Sequence, residues 1–119
     1  MKASNRQARR TIRTRAAQTR ATRRAHRNVA TGLPQTARTH LIAAGIDDQT
    51  AKRYAGAFSR GTTPTQTSET VVKLRGRRRK HVTVKLYDNA TFTARLAIYR
   101  PRDLAAAARF EQAAHRLAA

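Results

Sequence analysis

The sequence has no cysteine, and only six of its 119 residues are acidic. The absence of cysteine excludes disulfide frameworks, thiolate metal sites and cysteine nucleophiles. The six acids are scattered, whereas a metal-dependent nuclease needs several carboxylates together. The four histidines show no metal-ligand spacing, and no glycine-rich phosphate loop is present. We therefore expect no metal, no cofactor and no catalytic residues, and we predict that the protein is not an enzyme.

Long hydrophobic runs are also missing. The longest, such as 41–44 and 104–108, are far shorter than the roughly 20 residues needed to cross a bilayer. The arginine-rich start is not followed by the apolar region that a secretory signal requires. It is similar to an organelle transit peptide, and that is the alternative interpretation of this segment. We expect an intracellular protein, in the cytoplasm or the nucleoid, with no membrane partner.

Basic residues dominate what is present: 26 Lys and Arg give a formal net charge of +20, and 21 of them are Arg. Such a chain repels itself unless a polyanion neutralises it, and nucleic acid is the commonest polyanion. The planar guanidinium group pairs with phosphate and with guanine. A high-GC genome would also enrich arginine. The excess of Arg is therefore weaker support for a nucleic-acid partner than the net charge is. We expect a nucleic-acid partner, DNA in preference to RNA.

Residues 1–34 form a basic arm with no acidic residue. The spacing R-x-x-R-R-x-x-R occurs at 6–13 and again at 20–27, and its steps of three and four match a helix. Its predicted phosphate contacts are Arg6, Arg9, Arg10, Arg13, Arg20, Arg23, Arg24 and Arg27. The opposite face is small and polar, so we expect no seam for a partner helix. Like charges at helical spacing predict an arm that becomes helical when phosphate neutralises it; the alternative is a disordered solubilising tail.

Residues 35–60 gather apolar side chains at helical spacing, which predicts two short helices. These side chains are Leu41, Ile42, Ala44, Ile46, Ala51, Tyr54, Ala55 and Phe58. Gly45 separates the helices, and Asp47 is placed to cap the second one.

The segment 37–58, about a fifth of the chain, resembles a helix-turn-helix, with Gly45 at the turn, Ile46 after it, and Ala51 where the helices cross. Leu41 departs from the family, which usually has alanine there. The resemblance implies that Asp48, Gln49, Lys52 and Arg53 face outward from a helix in the DNA major groove. Of these, Gln49, Lys52 and Arg53 are the predicted base contacts, since Gln pairs with adenine and Arg with guanine. A plain two-helix corner is the alternative.

After a linker at 61–69, residues 70–119 predict strands and then a helix. Apolar residues alternate with polar ones around Val72 and Leu74, at 82–86 and at 92–98, which predicts a three-stranded antiparallel meander. From Pro101, the apolar stripe Leu104, Ala107, Phe110, Ala114 and Leu117 predicts a closing helix that covers the sheet. The expected fold class is thus α+β: a basic helical arm, a helix-turn-helix pair, and a meander covered by a C-terminal helix.

The first connection of the meander concentrates cations, and it is similar to the wing of winged helix-turn-helix proteins. Its predicted phosphate contacts are Arg75, Arg77, Arg78, Arg79 and Lys80. Like charges across a turn repel each other, so a phosphate partner would stabilise it. The alternative is a solvated sheet edge protected by charge.

Together these features predict a sequence-specific double-stranded DNA-binding protein, a regulator of transcription or an accessory factor for replication or recombination of the kind carried by phages and plasmids. One alternative is a structural RNA-binding protein of the ribosomal type, for which only Tyr87 and Tyr99, expected on the polar face of the sheet, could stack on bases. The other is a nonspecific DNA-packaging protein. The final helix offers a surface for a homodimer.

Overall fold

The computed structural model describes residues 2–118, which form five helices and one two-stranded sheet, so the predicted α+β class is confirmed. In chain order the elements are α1 (Lys2–Ala30), α2 (Ala37–Ala43), α3 (Asp48–Arg60), β1 (Gln66–Lys73), β2 (Arg79–Leu86), α4 (Asn89–Ile98) and α5 (Leu104–Ala118).

The α2–α3 pair forms where the sequence predicted two helices. The N–H of Gly45 donates to the Ile42 carbonyl at 3.0 Å, and the N–H of Ile46 donates to the Leu41 carbonyl at 3.1 Å. This double closure is a Schellman motif, and it requires the positive φ of Gly45, 102°. Asp47 caps α3 by accepting from the Thr50 N–H. The predicted core is confirmed: Tyr54 and Ala55 are half-buried, and the other six apolar residues are buried.

Helix α1 packs on α2, which corrects the prediction that the arm has no seam for a partner helix. Ala25 is only 4% exposed, and Ala21, Thr22 and Val29 are half-buried. The sequence pattern gives little sign of this seam, because it consists of small side chains, which carry little hydrophobic signal but let two helices approach closely. The side-chain carbonyl of Gln18 also accepts from the backbone N–H of Asp48 at 3.1 Å, joining the arm to the start of α3.

Strands β1 and β2 form an antiparallel hairpin whose register runs from Gln66 opposite Leu86 to Lys73 opposite Arg79. The expected linker at 61–69 is therefore shorter, because its last four residues, 66–69, are already part of β1. An isolated bridge between Gln35 and Tyr87 ties the base of the hairpin to the segment between α1 and α2.

The predicted third strand is wrong, since residues 89–98 form α4. The Asp88 carboxylate accepts from the Thr91 N–H and caps the helix, where the sequence had suggested a turn. The buried residues Phe92 and Leu96 are four apart, a spacing that fits one face of a helix as well as one face of a strand. Alanine and arginine between them then favour the helix.

Helix α5 packs on α4 and does not form the predicted cover of the sheet. Its buried residues are Ala106, Phe110 and Ala113, whereas Leu104 is 85% exposed. The helix begins after Asp103, whose carboxylate accepts from the Ala106 N–H, so Pro101 precedes the first turn instead of lying in it. The buried stripe therefore runs through 106, 110 and 113 and does not include Leu104.

Aromatic rings join α3, α4 and α5 in one core. The Phe58 ring lies 5.5 Å from those of Phe92 and Tyr99, and the Tyr99 ring lies 5.4 Å from that of Phe110. Tyr87 is buried. The prediction that Tyr87 and Tyr99 lie on a polar sheet face is therefore wrong, because both rings pack inward once 89–98 is helical.

Candidate nucleic-acid interface

One row of arginines on α1 lies on the face opposite the one that packs on α2, and Arg24 instead lines a groove beside α2. All eight predicted phosphate contacts of the arm are exposed: Arg6, Arg9, Arg10, Arg13, Arg20, Arg23, Arg24 and Arg27. A helix turns about 100° per residue. The arginines at 6, 13, 20 and 27 therefore lie on the opposite side of the helix from Gln18 and Ala25, which face the rest of the protein. Every described side chain from Ser4 to Arg15 is exposed, so none of them is buried against another element.

Most of the acidic side chains are engaged within the protein. Asp47, Asp88 and Asp103 cap helices, and Asp47 also pairs with Arg109 at 3.0 Å. Burial alone would raise the pKa of Asp47, but hydrogen bonds from Thr50 and the charge of Arg109 outweigh it and lower that pKa. Its carboxylate therefore remains ionised at neutral pH.

Among residues 2–118, the cations of the arm and the hairpin have no such partners. Within residues 2–118 the ion pairs involve the cations Arg38, Arg109 and His115. The described arginines of the arm and of the hairpin turn thus have no acidic side chain within salt-bridge distance. Their charge is available to an external anion.

The outer face of α3 carries the three predicted base contacts, since Gln49, Lys52 and Arg53 are all exposed. The Arg53 guanidinium lies 5.3 Å from the centre of the Tyr54 ring, a cation–π contact that restrains its position. Asp48 differs from expectation: its carboxylate is 2.9 Å from the Nε of Arg38 on α2, so it pairs within the protein.

A groove between α3 and the hairpin adds residues that the sequence analysis missed. Arg38, Gly56 and Lys85 line it. Gly56 lies on the exposed face of α3, and nothing is within 4 Å of the position a Cβ atom would take. Arg60 is exposed one turn further along. A glycine in the middle of an amphipathic helix was the only sequence signal, because the groove depends on where the hairpin packs.

The turn of the hairpin exposes all five predicted cations, Arg75, Arg77, Arg78, Arg79 and Lys80. The turn spans 74–78 and closes through the Leu74 N–H, which donates to the Arg78 carbonyl at 2.9 Å. Gly76 supplies the positive φ, 77°, that the turn needs. Arg79 and Lys80 therefore belong to β2 and not to the turn itself. Like charges are held close together at the end of the hairpin.

Neither a metal centre nor a membrane span is found in the described part of the chain. No group of three or more His, Asp or Glu residues within 2–118 is placed to hold a metal ion. None of the helices there combines the length and the apolar character that spanning a membrane requires. Comparison of the chain with protein-family models, with curated protein sequences and with solved structures gave no significant match.

Proposed function

We propose that this protein binds double-stranded DNA through α3, the arginine face of α1 and the cationic end of the hairpin. The observation that carries the proposal is the set of exposed cations on α1 and the hairpin that have no acidic partner in the described chain. Neutralising phosphate contacts release counterions, and this provides most of the affinity of such surfaces for nucleic acid.

The order of elements supports a winged helix-turn-helix arrangement. A short helix, a glycine turn and a longer, N-capped helix are followed directly by the hairpin, whose base pairs with Gln35 ahead of α2. In this arrangement α3 enters the major groove, and Gln49, Lys52 and Arg53 contact base edges. The hairpin then contacts the DNA beside that groove.

DNA binding is favoured over RNA binding because Tyr87 and Tyr99 offer no stacking platform. Tyr87 is buried, and the half-buried Tyr99 packs its ring against Phe58 and Phe110. Proteins that bind single-stranded nucleic acid commonly stack bases on exposed aromatic rings. We therefore infer a regulator of transcription, or an accessory factor for replication or recombination, as on phages and plasmids.

The test is selection of bound molecules from a random-sequence duplex pool at moderate salt, with structured RNA as competitor, followed by sequencing. We expect one DNA motif to be enriched. Gln49→Ala and Arg53→Ala should each relax the preference at one position of that motif by about 1–3 kcal/mol, the usual contribution of a paired base contact.

The matched comparison replaces Arg6, Arg10 and Arg13 by Gln. All duplexes should then bind more weakly to a similar degree, and the slope of log K against log salt should decrease by about 0.9 for each phosphate that the variant no longer neutralises. Retention of DNA without a motif would favour a packaging protein. Displacement by the RNA competitor would favour the structural RNA-binding alternative.

A further inference from the structure

The outer half of the hairpin exposes aliphatic side chains among its cations. Val72 is 44% exposed and Leu74 is 47% exposed. Phosphate binding requires neither of them, and each exposed leucine or valine leaves apolar surface in water. Val72 and Leu74 are two residues apart, so on an extended chain they form one exposed apolar patch beside the cations.

The register shows that the exposed residues continue the apolar face of the hairpin. Directly opposed residues lie on the same face, so Val72 shares a face with Lys80, and Thr70 shares it with Val82. Side chains alternate along a strand, which puts Leu74 on the Val72 face. Nearer the base, Val82, Val84 and Leu86 are half-buried. The apolar face of the hairpin is therefore half-buried near the base and exposed near the turn, and Leu74 is the last apolar residue on it.

Cations lie on both faces of the hairpin around Leu74. Arg78 is opposite Leu74 across the turn, and Lys80, which is opposite Val72, lies on the same face. Lys73, Arg75 and Arg79 lie on the other face, since Arg79 pairs with Lys73, and all five cations are exposed. Strands of eight residues carry the turn about 26 Å from the base of the hairpin. That length exceeds half of the DNA helical repeat, about 17 Å, so the hairpin can extend from a major groove into the next minor groove.

We propose that the end of the hairpin enters the DNA minor groove and that Leu74 inserts between two base pairs and kinks the duplex. This inference rests on the proposed DNA-binding function. Proteins that bend DNA from the minor groove use apolar wedges to unstack a base step, and leucine is one of the side chains suited to that role. The surrounding cations complement the phosphates on both sides of the groove, whose negative potential attracts arginine.

The experiment measures bending and affinity on the same duplex, about 30 base pairs long, labelled at both ends and centred on a flexible TA step. Energy transfer between the end labels reports the bend, and fluorescence anisotropy reports binding. The variants are Leu74→Ala, Leu74→Met, which retains an apolar wedge, and Val71→Ala. Val71 is the matched control, because it is also 47% exposed but lies opposite His81 on the other face of the hairpin.

We expect the wild-type protein and the Leu74→Met and Val71→Ala variants to bend the duplex by about 20–90°. Leu74→Ala should return energy transfer close to that of free DNA, with affinity reduced by no more than about tenfold, because phosphate contacts provide most of the binding. Circular dichroism of each variant should match that of the wild type.

Binding by the wild type without bending, or equal bending by wild type and Leu74→Ala, overturns the wedge and leaves the DNA-binding function intact. Failure of the wild type to bind duplex DNA overturns both. The alternative is that a second copy of the chain covers this face of the hairpin. Sedimentation of the protein without DNA tests it by measuring the oligomeric state. Self-association that Leu74→Ala abolishes and Val71→Ala does not would assign the face to dimerisation and overturn the wedge.

Discussion

The Nε2 atom of His40 lies 2.6 Å from the carbonyl oxygen of Tyr87, 47 residues further along the chain. A carbonyl only accepts hydrogen bonds, so Nε2 carries the proton and donates. The ring also stacks on Phe92, with centroids 4.7 Å apart. A single imidazole on α2 thus joins the base of the hairpin to α4.

The stability of the protein should decrease as the pH falls below about 6.5, the ordinary pKa of histidine. Burial lowers the pKa of His40, and the opposing effects of the Tyr87 carbonyl and Asp88 are smaller. The unfolded chain therefore binds a proton at a higher pH than the folded chain does, so acidification favours unfolding.

Urea denaturation at about pH 7.5 and about pH 5.5 measures this effect. The midpoint should fall with pH in the wild type and in the control His26→Gln, whose histidine is exposed, and it should change less in His40→Gln. Equal changes in all three proteins would contradict the assignment to His40. Asp47 and Asp88, whose pKa values are lowered, lose their contributions only at more acidic pH.

Gly45→Ala should destabilise the fold by about 1–3 kcal/mol, because a side chain at positive φ is strained. Its Cβ atom would also lie 2.6 Å from an Nη atom of Arg116. The control is Gly32→Ala, where φ is also positive but nothing lies within 4 Å of the new atom. Thermal denaturation should show the larger loss for Gly45→Ala; equal losses would mean that Arg116 moves aside freely.

Gly56→Ala should have opposite effects on stability and on DNA binding. Alanine stabilises a helix interior by about 0.8–1.0 kcal/mol relative to glycine, and there is open space for its methyl group. The same methyl group would separate the α3 backbone from DNA in the groove that Arg38 and Lys85 line. We expect a higher melting temperature and weaker duplex binding, with Gly56→Leu weaker still. Unchanged affinity in both variants would remove this groove from the interface.

The structure shows α1 as one continuous helix. In solution the helical population of its first half should rise on binding DNA, because its exposed arginines repel one another until phosphate neutralises them. Far-ultraviolet circular dichroism at low salt should show more helix after a duplex is added. The control replaces Arg6, Arg10 and Arg13 by Gln, which has a similar helix propensity. That variant should be more helical without DNA and gain less with it. An equal gain in both proteins would show that charge repulsion is not the cause.

Local chemistry made the α2–α3 pair predictable from sequence. The conformation of Gly45 and the cap at Asp47 are set within a few residues. The buried residues Ala51 and Phe58 are seven apart, a spacing that defines one buried face of α3. The cationic hairpin was predictable for the same reason, since Gly76 and the alternating strands mark it.

The predictions that were wrong concern segments whose sequence pattern fits two structures equally well, so that packing against the rest of the protein decides between them. Phe92 and Leu96 satisfy a strand period as well as a helical one, and the helix follows from the cap at Asp88 and from packing against α5. The seam on α1 consists of small residues around Ala25 that become a contact only when α2 is present. The groove at Gly56 likewise requires the hairpin to be in place.

The hydrogen bond between Gln18 and the N–H of Asp48 marks the point where α1 leaves the body of the protein. Residues after it are held by α2, and residues before it extend the same helix axis outward. The first half of α1 therefore extends away from the start of α3 in one direction only. On a duplex, the contacts made by the first half of α1 should therefore extend to only one side of the base pairs that α3 contacts. A single copy of the protein would then bind its DNA site in one orientation and not in the reverse one.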